Sequence, residues 1–248
     1  MPEETFANGP ADDAGLFDIM FSCRAMRRLE PDPVPEELLV RLVESAAQAP
    51  SSSNNQCWHF VIVRGEDLKR RIQSEWRRGW SWYQEILEDA PKVEGEDQAR
   101  QDRQRRAGRY MIDHLHEAPA LIAVCVRKDP RMAAALGSPR VVPAAIRHLG
   151  IGGAFRLLAG AGSARMTGVH STAYPAVQNL LLAARALGLG AVLTTPQLFA
   201  PGKYEEILGI PPDVTLTAII PVGYPKGRFG PVSRPPADSL ISWERYGG

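Results

Sequence analysis

Apolar positions recur along this chain with two different periods. After Pro33-Val34-Pro35-Glu36-Glu37, the residues Leu38, Leu39, Leu42, Val43, Ala46 and Ala47 follow helical spacing until Pro50 stops the run. A second helix is expected from about Glu66 to Asp89, with Leu68, Ile72, Trp76, Trp80, Tyr83 and Leu87 at roughly that spacing. Its aromatics, Trp76, Trp80, Trp82 and Tyr83, are more than one face can bury, which leaves some of them to line a pocket or partner surface. A third helical pattern runs from Tyr174 to Leu187 and closes at Gly188, and a short one spans Lys203 to Leu208. Compact apolar runs predict strands at Phe60–Val63 (ended by Gly65), Leu121–Val126, Ala191–Thr195 and Leu216–Val222.

The remaining stretches are poorer in pattern. Residues 1–15 are acidic and turn-rich and read as a flexible arm. Residues 92–109 alternate both signs of charge, which predicts a solvated helix or a mobile cover within a wider cover region, about 66–115. Gly150 to Gly168 is dense in Gly, Ala and Ser and reads as a loop or a poorly determined helix. From Tyr224 to Gly248 a Pro/Gly-rich tail completes the chain. Strands and helices alternate without a regular βαβ beat, and no apolar-poor linker divides the chain. The expectation is one α+β domain over residues 16–248 with an extended tail.

Composition narrows the partners. The 248 residues carry 29 Lys+Arg against 28 Asp+Glu, a net charge of +1, which argues against nucleic acid because phosphate-backbone binding needs a concentrated cationic face. Cys23, Cys57 and Cys125 cannot all pair, and no CxxC occurs, so neither a disulfide scaffold nor a zinc ribbon is expected. The N-terminus, with Glu3, Glu4, Asp12 and Asp13, lacks the basic start and apolar run of a signal peptide. The longest continuous apolar stretch, Ala118–Val126, is about half of the ~20 residues a membrane span requires. These features predict a cytoplasmic protein without a membrane partner.

Common catalytic engines are missing from the sequence: GxxxxGK[ST], HExxH, GxSxG and a strand-to-helix GxGxxG are all absent. His114 and His116 are two apart and face different directions on a helix, while His59, His148 and His170 are isolated. Such a chain either binds without chemistry or borrows its chemistry from a cofactor.

Three segments carry candidate chemistry. Cys23-Arg24-Ala25-Met26-Arg27-Arg28 sets three arginines among apolar neighbours, and a planar guanidinium binds phosphate oxygens through paired hydrogen bonds; a surface basic cluster is the alternative. Ala49 to Trp58 offers Ser51, Asn54 and Gln56, whose amides both donate and accept, as the edge of a pyrimidine-type ring requires; a turn explains the same composition. Thr194-Thr195-Pro196 forms a proline-forced turn, followed by Pro221-Val222-Gly223-Tyr224-Pro225 and the tail arginines Arg228 and Arg234.

In this order the segments resemble the FMN-dependent nitroreductase family. Arg24-Ala25-Met26-Arg27 with Pro33-Val34 is similar to its opening Arg-Ser-x-Arg run. Ala49 to Val63 is similar to its Ala-Pro-Ser, Asn-x-Gln-Pro-Trp and Phe-Val-Val pattern. Gln178 to Gly190 and Pro221 to Pro225 are similar to its Gln-Asn-Leu helix, Gly-Leu-Gly and closing Pro-Val-Gly-Tyr-Pro strand. The likeness covers roughly residues 17–65 and 115–240.

The resemblance implies a mixed sheet flanked by helices, with FMN as cofactor and NADH or NADPH as co-substrate. It also implies a homodimer whose interface holds the flavin and whose 224–248 tails wrap the partner. Arg24 and Arg27 would grip the FMN phosphate with Arg234, beside Ala25. Ser51, Asn54 and Gln56 would follow the ribityl chain and pyrimidine edge, and Thr194, Thr195 and Pro196 would flank the isoalloxazine. Hydride would pass through flavin N5 to a nitroaromatic, quinone or similar planar acceptor, with no catalytic side chain required. Three departures stand out: Cys23 and Ala25 occupy positions where the family often has Arg and Ser, and Cys57 replaces a usual proline. Rival readings are a reductive dehalogenase of the same family and a non-enzymatic flavin-binding or storage protein.

Overall fold

The structure is a computed structural model that describes residues 15–88 and 97–247. Its centre is a four-stranded antiparallel sheet of β1 (Trp58–Val63), β2 (Ala120–Arg127), β3 (Gly190–Ala191) and β4 (Val214–Gly223), in the order β1-β2-β4-β3. β2 is buried from Ala120 to Val126, as a central strand covered on both faces must be. Trp58 pairs with Val126 at one end of the β1–β2 ladder and Val63 with Leu121 at the other. The β2–β4 register slips between Val124 and Cys125; Thr217 is the extra residue there, and its buried hydroxyl donates to the Val124 carbonyl at 2.7 Å.

Alternation along these strands feeds two cores. Ile122, Val124, Ile220 and Val222 face α2 (Glu36–Ala46) and α7 (Ala161–Ala186), where Leu39, Leu42, Val177 and Leu180 meet them. Leu121, Ala123, Cys125 and Ile219 face the other way, onto α3 (Glu66–Glu88), α4 (Gln98–Asp113) and α8 (Lys203–Leu208) through Ile72, Trp76, Ile112 and Tyr204. Each fully buried Leu or Ile contributes about 1.5–3 kcal/mol of transfer free energy, so both helical layers are held mainly by the sheet. Glu36 and Glu37 open α2, and Glu66 and Asp67 open α3, where carboxylates complement the helix dipole.

Several elements differ from the sequence reading. The Gly150–Gly168 stretch is helical, divided between α6 (Val141–Ala159) and α7. Gly150 turns α6 with φ 70 and ψ 172, and Gly160 separates the two helices. α7 continues through Pro175 and starts well before Tyr174. The expected strand Ala191–Thr195 contracts to β3 plus a single bridge from Thr194 to Ile219. The short helices α1 (Leu16–Ser22) and α5 (Pro130–Leu136) carry no periodic signal that the sequence reading could use. The charged cover stretch is helical in α4, with Arg105 on Asp102 at 2.9 Å; its portion at 89–96, like the arm at 1–14, lies outside the described residues.

α6 is long and apolar enough, by length and composition, to cross a membrane. Ile151 and Phe155 on it are 78% and 72% exposed. α1 adds Leu16, Phe17, Met20 and Phe21 to the exposed apolar surface.

Candidate active site

The arginine segment leaves α1 at Cys23, whose extended backbone (φ −71, ψ 115) ends the helix. Met26 is buried, and its N–H donates to the Ala191 carbonyl at 3.1 Å, so the segment lies along β3 as an added edge. Beyond it, Glu30 N–H donates to Tyr224 at 2.7 Å and Lys226 N–H to Arg28 at 3.0 Å. This clamp leaves Arg24 and Ala25 exposed and Arg27 half-buried; burial pulls the Arg27 guanidinium below its ordinary pKa. Arg28 stacks 4.5 Å from the Tyr110 ring, and Arg27 lines a small cavity with that same tyrosine, His114 and Pro221. The tail returns to the same place, because Val232 N–H donates to the Phe21 carbonyl at 3.1 Å, two residues before Arg234. Many surface arginines here pair with a carboxylate, as Arg64 does with Glu36 at 3.7 Å. Among the described residues, Arg24, Arg27 and Arg234 have no such partner.

Thr194-Thr195-Pro196 follows β3 on the β4 edge. Ile219 N–H donates to the Thr194 carbonyl at 3.0 Å, and the Thr194 hydroxyl donates back to the Ile219 carbonyl, so that hydroxyl is committed to the backbone. Thr195 is half-buried, and its hydroxyl has no partner among the described residues. Pro196 begins a 3₁₀ turn through Leu198, and Gln197 pins that turn to the Thr217 carbonyl at 2.7 Å. Phe199 comes next, with Tyr83 and Trp82 at centroid distances of 5.0 and 6.3 Å. Gly79 admits this contact, since a Cβ there would lie 2.6 Å from Phe199 Cβ. Of the four aromatics in α3, Trp76 is core, Trp80 packs on Gly108, and Trp82 stays 54% exposed beside Phe199.

Ser51–Gln56 forms a loop tied to α7: Ser52 N–H donates to Thr172 Oγ1 at 3.3 Å and Trp58 Nε1 to the Thr172 carbonyl at 2.8 Å. Ser53, Asn54 and Gln56 hold positive φ of 52, 51 and 48 degrees, a conformation that costs energy for residues other than glycine. The loop closes on itself, with Gln56 N–H on Ser51 Oγ at 3.0 Å and Gln56 Nε2 on Asn54 Oδ1 at 3.1 Å.

The structure does not bring this loop to the arginine segment within one chain. The loop enters β1 at Trp58, opposite Val126, whereas Ala191 sits opposite Val222, which pairs with Ala120. At ~4.8 Å between strands and ~3.4 Å per residue, these are opposite corners of the sheet, roughly 25 Å apart.

Burial raises the thiol pKa of all three cysteines. For Cys23, Arg185 opposes the burial effect, and Cys125 is pushed up to about 12. None is therefore a ready thiolate nucleophile. His114 stacks on Tyr110 and meets Glu117 at 2.9 Å, His170 stacks on Tyr174, and no His/Cys/Asp/Glu cluster fit for a metal exists among the described residues. Sequence reasoning missed Arg185, Phe199 and Phe229. Arg185 does leave a trace, as a lone cation within the apolar pattern of the Tyr174–Leu187 helix.

The nitroreductase family model matches residues 22–224. The chain belongs to the nitroreductase family. It is 29% identical over 221 residues to an NADH dehydrogenase of Thermus thermophilus, covering 89% of this chain and 91% of that protein. To the iodotyrosine deiodinase of Thermotoga neapolitana it is 27% identical, covering 85% and 88%. An iodotyrosine deiodinase crystal structure bound to FMN and 3-iodo-L-tyrosine superposes with a TM-score of 0.63 at 25% identity, covering 93% of this chain and all of that one. The expected nitroreductase-like α+β fold is thus the fold observed.

Proposed function

We propose that this chain is a cytoplasmic FMN-dependent oxidoreductase that takes reducing equivalents from NADH or NADPH and delivers them to a small planar acceptor, such as a nitroaromatic or quinone. The observation that carries this reading is that Arg24 and Arg27 flank the Met26 contact with β3 and that the tail bearing Arg234 returns to Phe21, with none of the three arginines paired to a carboxylate among the described residues. Cations without carboxylates invite an anion, and a phosphate monoester matches their guanidinium geometry. FMN, when bound, supplies the hydride chemistry that these side chains lack.

The protein's part is to bind, orient and exclude water. Arg24, Arg27 and Arg234 hold the phosphate, with the Ala25 backbone beside it. Ser51, Asn54 and Gln56 present hydroxyl and amide groups to the ribityl chain and pyrimidine edge. Pro196 fixes the turn that holds the Thr194 backbone and the free Thr195 hydroxyl beside the ring. Trp82 and Phe199 form an aromatic wall suited to a flat acceptor.

A homodimer reconciles the two corners. One ribityl phosphate arm does not reach across about 25 Å of sheet, so the arginine segment of one copy and the Ser51–Gln56 loop of another share a flavin. The exposed apolar faces of α1 and α6 support an apolar interface of this kind, as do Leu240, Ile241 and Trp243 in the tail. Residues 16–248 then act as one domain, with 224–248 reaching onto the partner and no membrane or nucleic acid involved. Free Cys23, Cys57 and Cys125 suit a reducing compartment.

Reductive dehalogenation is the second reading, favoured by the iodotyrosine deiodinase relatives. Among the described residues of α3 and α4 the single lysine, Lys69, is buried and donates to the Ala118 carbonyl at 2.7 Å, so it offers no clamp for a zwitterionic amino acid. Turnover of NADPH with a nitro or quinone acceptor supports the first reading. Turnover of 3-iodo-L-tyrosine alone supports the second, and stable FMN binding without turnover supports a storage protein. Arg24→Ala combined with Arg27→Ala should abolish tight FMN binding; unchanged affinity places the phosphate elsewhere.

A further inference from the structure

Arg185 on α7 is a buried charge without a counter-charge. It is 4% exposed, and among the described residues no carboxylate pairs with it. Its Nε donates to Ser22 Oγ at 2.9 Å, and its guanidinium lies 4.4 Å from the Phe229 ring centroid. One terminal nitrogen, NH1, is buried with no acceptor among the described residues. Ser22 offers no charge, since its hydroxyl spends its proton on the Asp18 carbonyl at 2.6 Å. Cys23, the nearest ionisable neighbour, is held as a neutral thiol by burial, and burial likewise disfavours the Arg185 cation.

An isolated buried cation is costly, and the face of Phe229 offsets only part of that cost. An anion arriving beside it would complete such a charge. The two contacts of Arg185 show where. Ser22 immediately precedes the Cys23–Arg27 segment, and Phe229 lies five residues before Arg234 on the tail. Arg185 therefore sits beneath the seam where the arginine segment and the tail meet, and it fastens one to the other.

We propose that Arg185 is the buried floor of the phosphate site: it clamps the Cys23–Arg27 segment to the tail and supplies the cation that a bound phosphate monoester neutralises. This rests on the flavin reading for the identity of the phosphate, but not for the existence of an anion site. Arg185 is a positioning residue, acting through the exposed arginines and through its charge.

The test compares FMN with riboflavin, which differ only in the phosphate. Full-length wild-type and Arg185→Met proteins are freed of flavin and titrated by flavin fluorescence. They are also melted with and without inorganic phosphate. The substitution should weaken FMN about tenfold or more while leaving riboflavin within about twofold, because the lost interaction is charge-assisted and phosphate-directed. It should also remove the rise in Tm that inorganic phosphate gives the wild type. Equal weakening of both flavins, or no weakening of either, overturns the proposal. Should Arg185→Met not accumulate as folded protein, the neutral Arg185→Gln, which can still donate to Ser22, carries the same comparison: selective weakening of FMN supports the proposal, and an equal change in both flavins overturns it. A wild type that binds neither flavin defeats the flavin reading separately. In that case the phosphate melt alone decides on Arg185, with a shift lost in the variant supporting the anion site and an identical response in both proteins overturning it.

Discussion

Gly190 is the point where β3, the arginine segment and the chain beyond β4 touch, and it permits a sharp test of how the phosphate segment is held. A Cβ at this position would lie 2.9 Å from Leu29 Cδ2, 2.9 Å from Met26 Cβ and 3.2 Å from Pro225 Cβ. Two of these are Cβ atoms, fixed to backbone, so the strain cannot be relieved by a rotamer change. Met26 is also the residue whose N–H ties the segment to Ala191. Overpacking of this kind costs about 1–3 kcal/mol, and the smaller entropy of an unfolded chain with alanine returns about 0.4–1 kcal/mol, since the native φ of Gly190 is not in the left-handed region. Gly190→Ala should therefore lose about 1–2 kcal/mol, or roughly 2–8 °C in Tm for a chain of this size. The loosened segment should also weaken FMN several-fold. Thermal melting and FMN titration of Gly190→Ala are read beside Gly65→Ala, where nothing lies within 4 Å of the added methyl and stability should hold within about 0.5 kcal/mol. If Gly190→Ala matches Gly65→Ala in both measurements, the segment is not held by this junction.

Three further outcomes follow from the structure. Cys125 holds its proton in the folded state up to about 12, against about 9 for the unfolded thiol, so stability is intact below pH 9 and falls as pH rises toward 12. Between pH 8 and 10 denaturant melts should show a loss of about 1.4 kcal/mol that Cys125→Ala lacks; parallel pH profiles for the two proteins would refute this. Replacing Ile151 and Phe155 together with serine should convert a dimer into a chain sedimenting at 27.2 kDa and abolish FMN binding; a dimer that persists removes α6 from the interface. Trp58→Phe removes the donor to the Thr172 carbonyl and should cost about 0.5–1.5 kcal/mol, with faster hydrogen exchange in residues 51–57; unchanged exchange would show that the loop does not depend on that anchor.

What was legible in the sequence was local. The β2 strand shows as an unbroken apolar run because both of its faces are covered, and α8 shows from end to end because Gly202 and Gly209 bracket it at φ 80 and 65. The arginine, Ser/Asn/Gln and Thr-Thr-Pro segments were legible as chemistry, since residue type and spacing carry it. Their mutual placement was not, because strand order decides that the loop before β1 and the edge beside β3 occupy opposite corners. The Gly150–Gly168 stretch misled for a different reason: glycine lowers helix propensity, yet only Gly150 takes a positive φ there, and its large apolar residues, Ile151 and Phe155 above all, face outward while Ala154 is buried. Arg185 stayed hidden because burial of a charge is a tertiary event, set by Ser22 and Phe229 from distant parts of the chain.

The most direct test of the central claim is the visible absorbance of the purified full-length protein, before and after titration with FMN and then with NADPH in the absence of oxygen. A flavin band that titrates to saturation with FMN, bleaches on NADPH and returns when a quinone is added is the result this account predicts. A protein that carries no flavin band and binds no added FMN contradicts it.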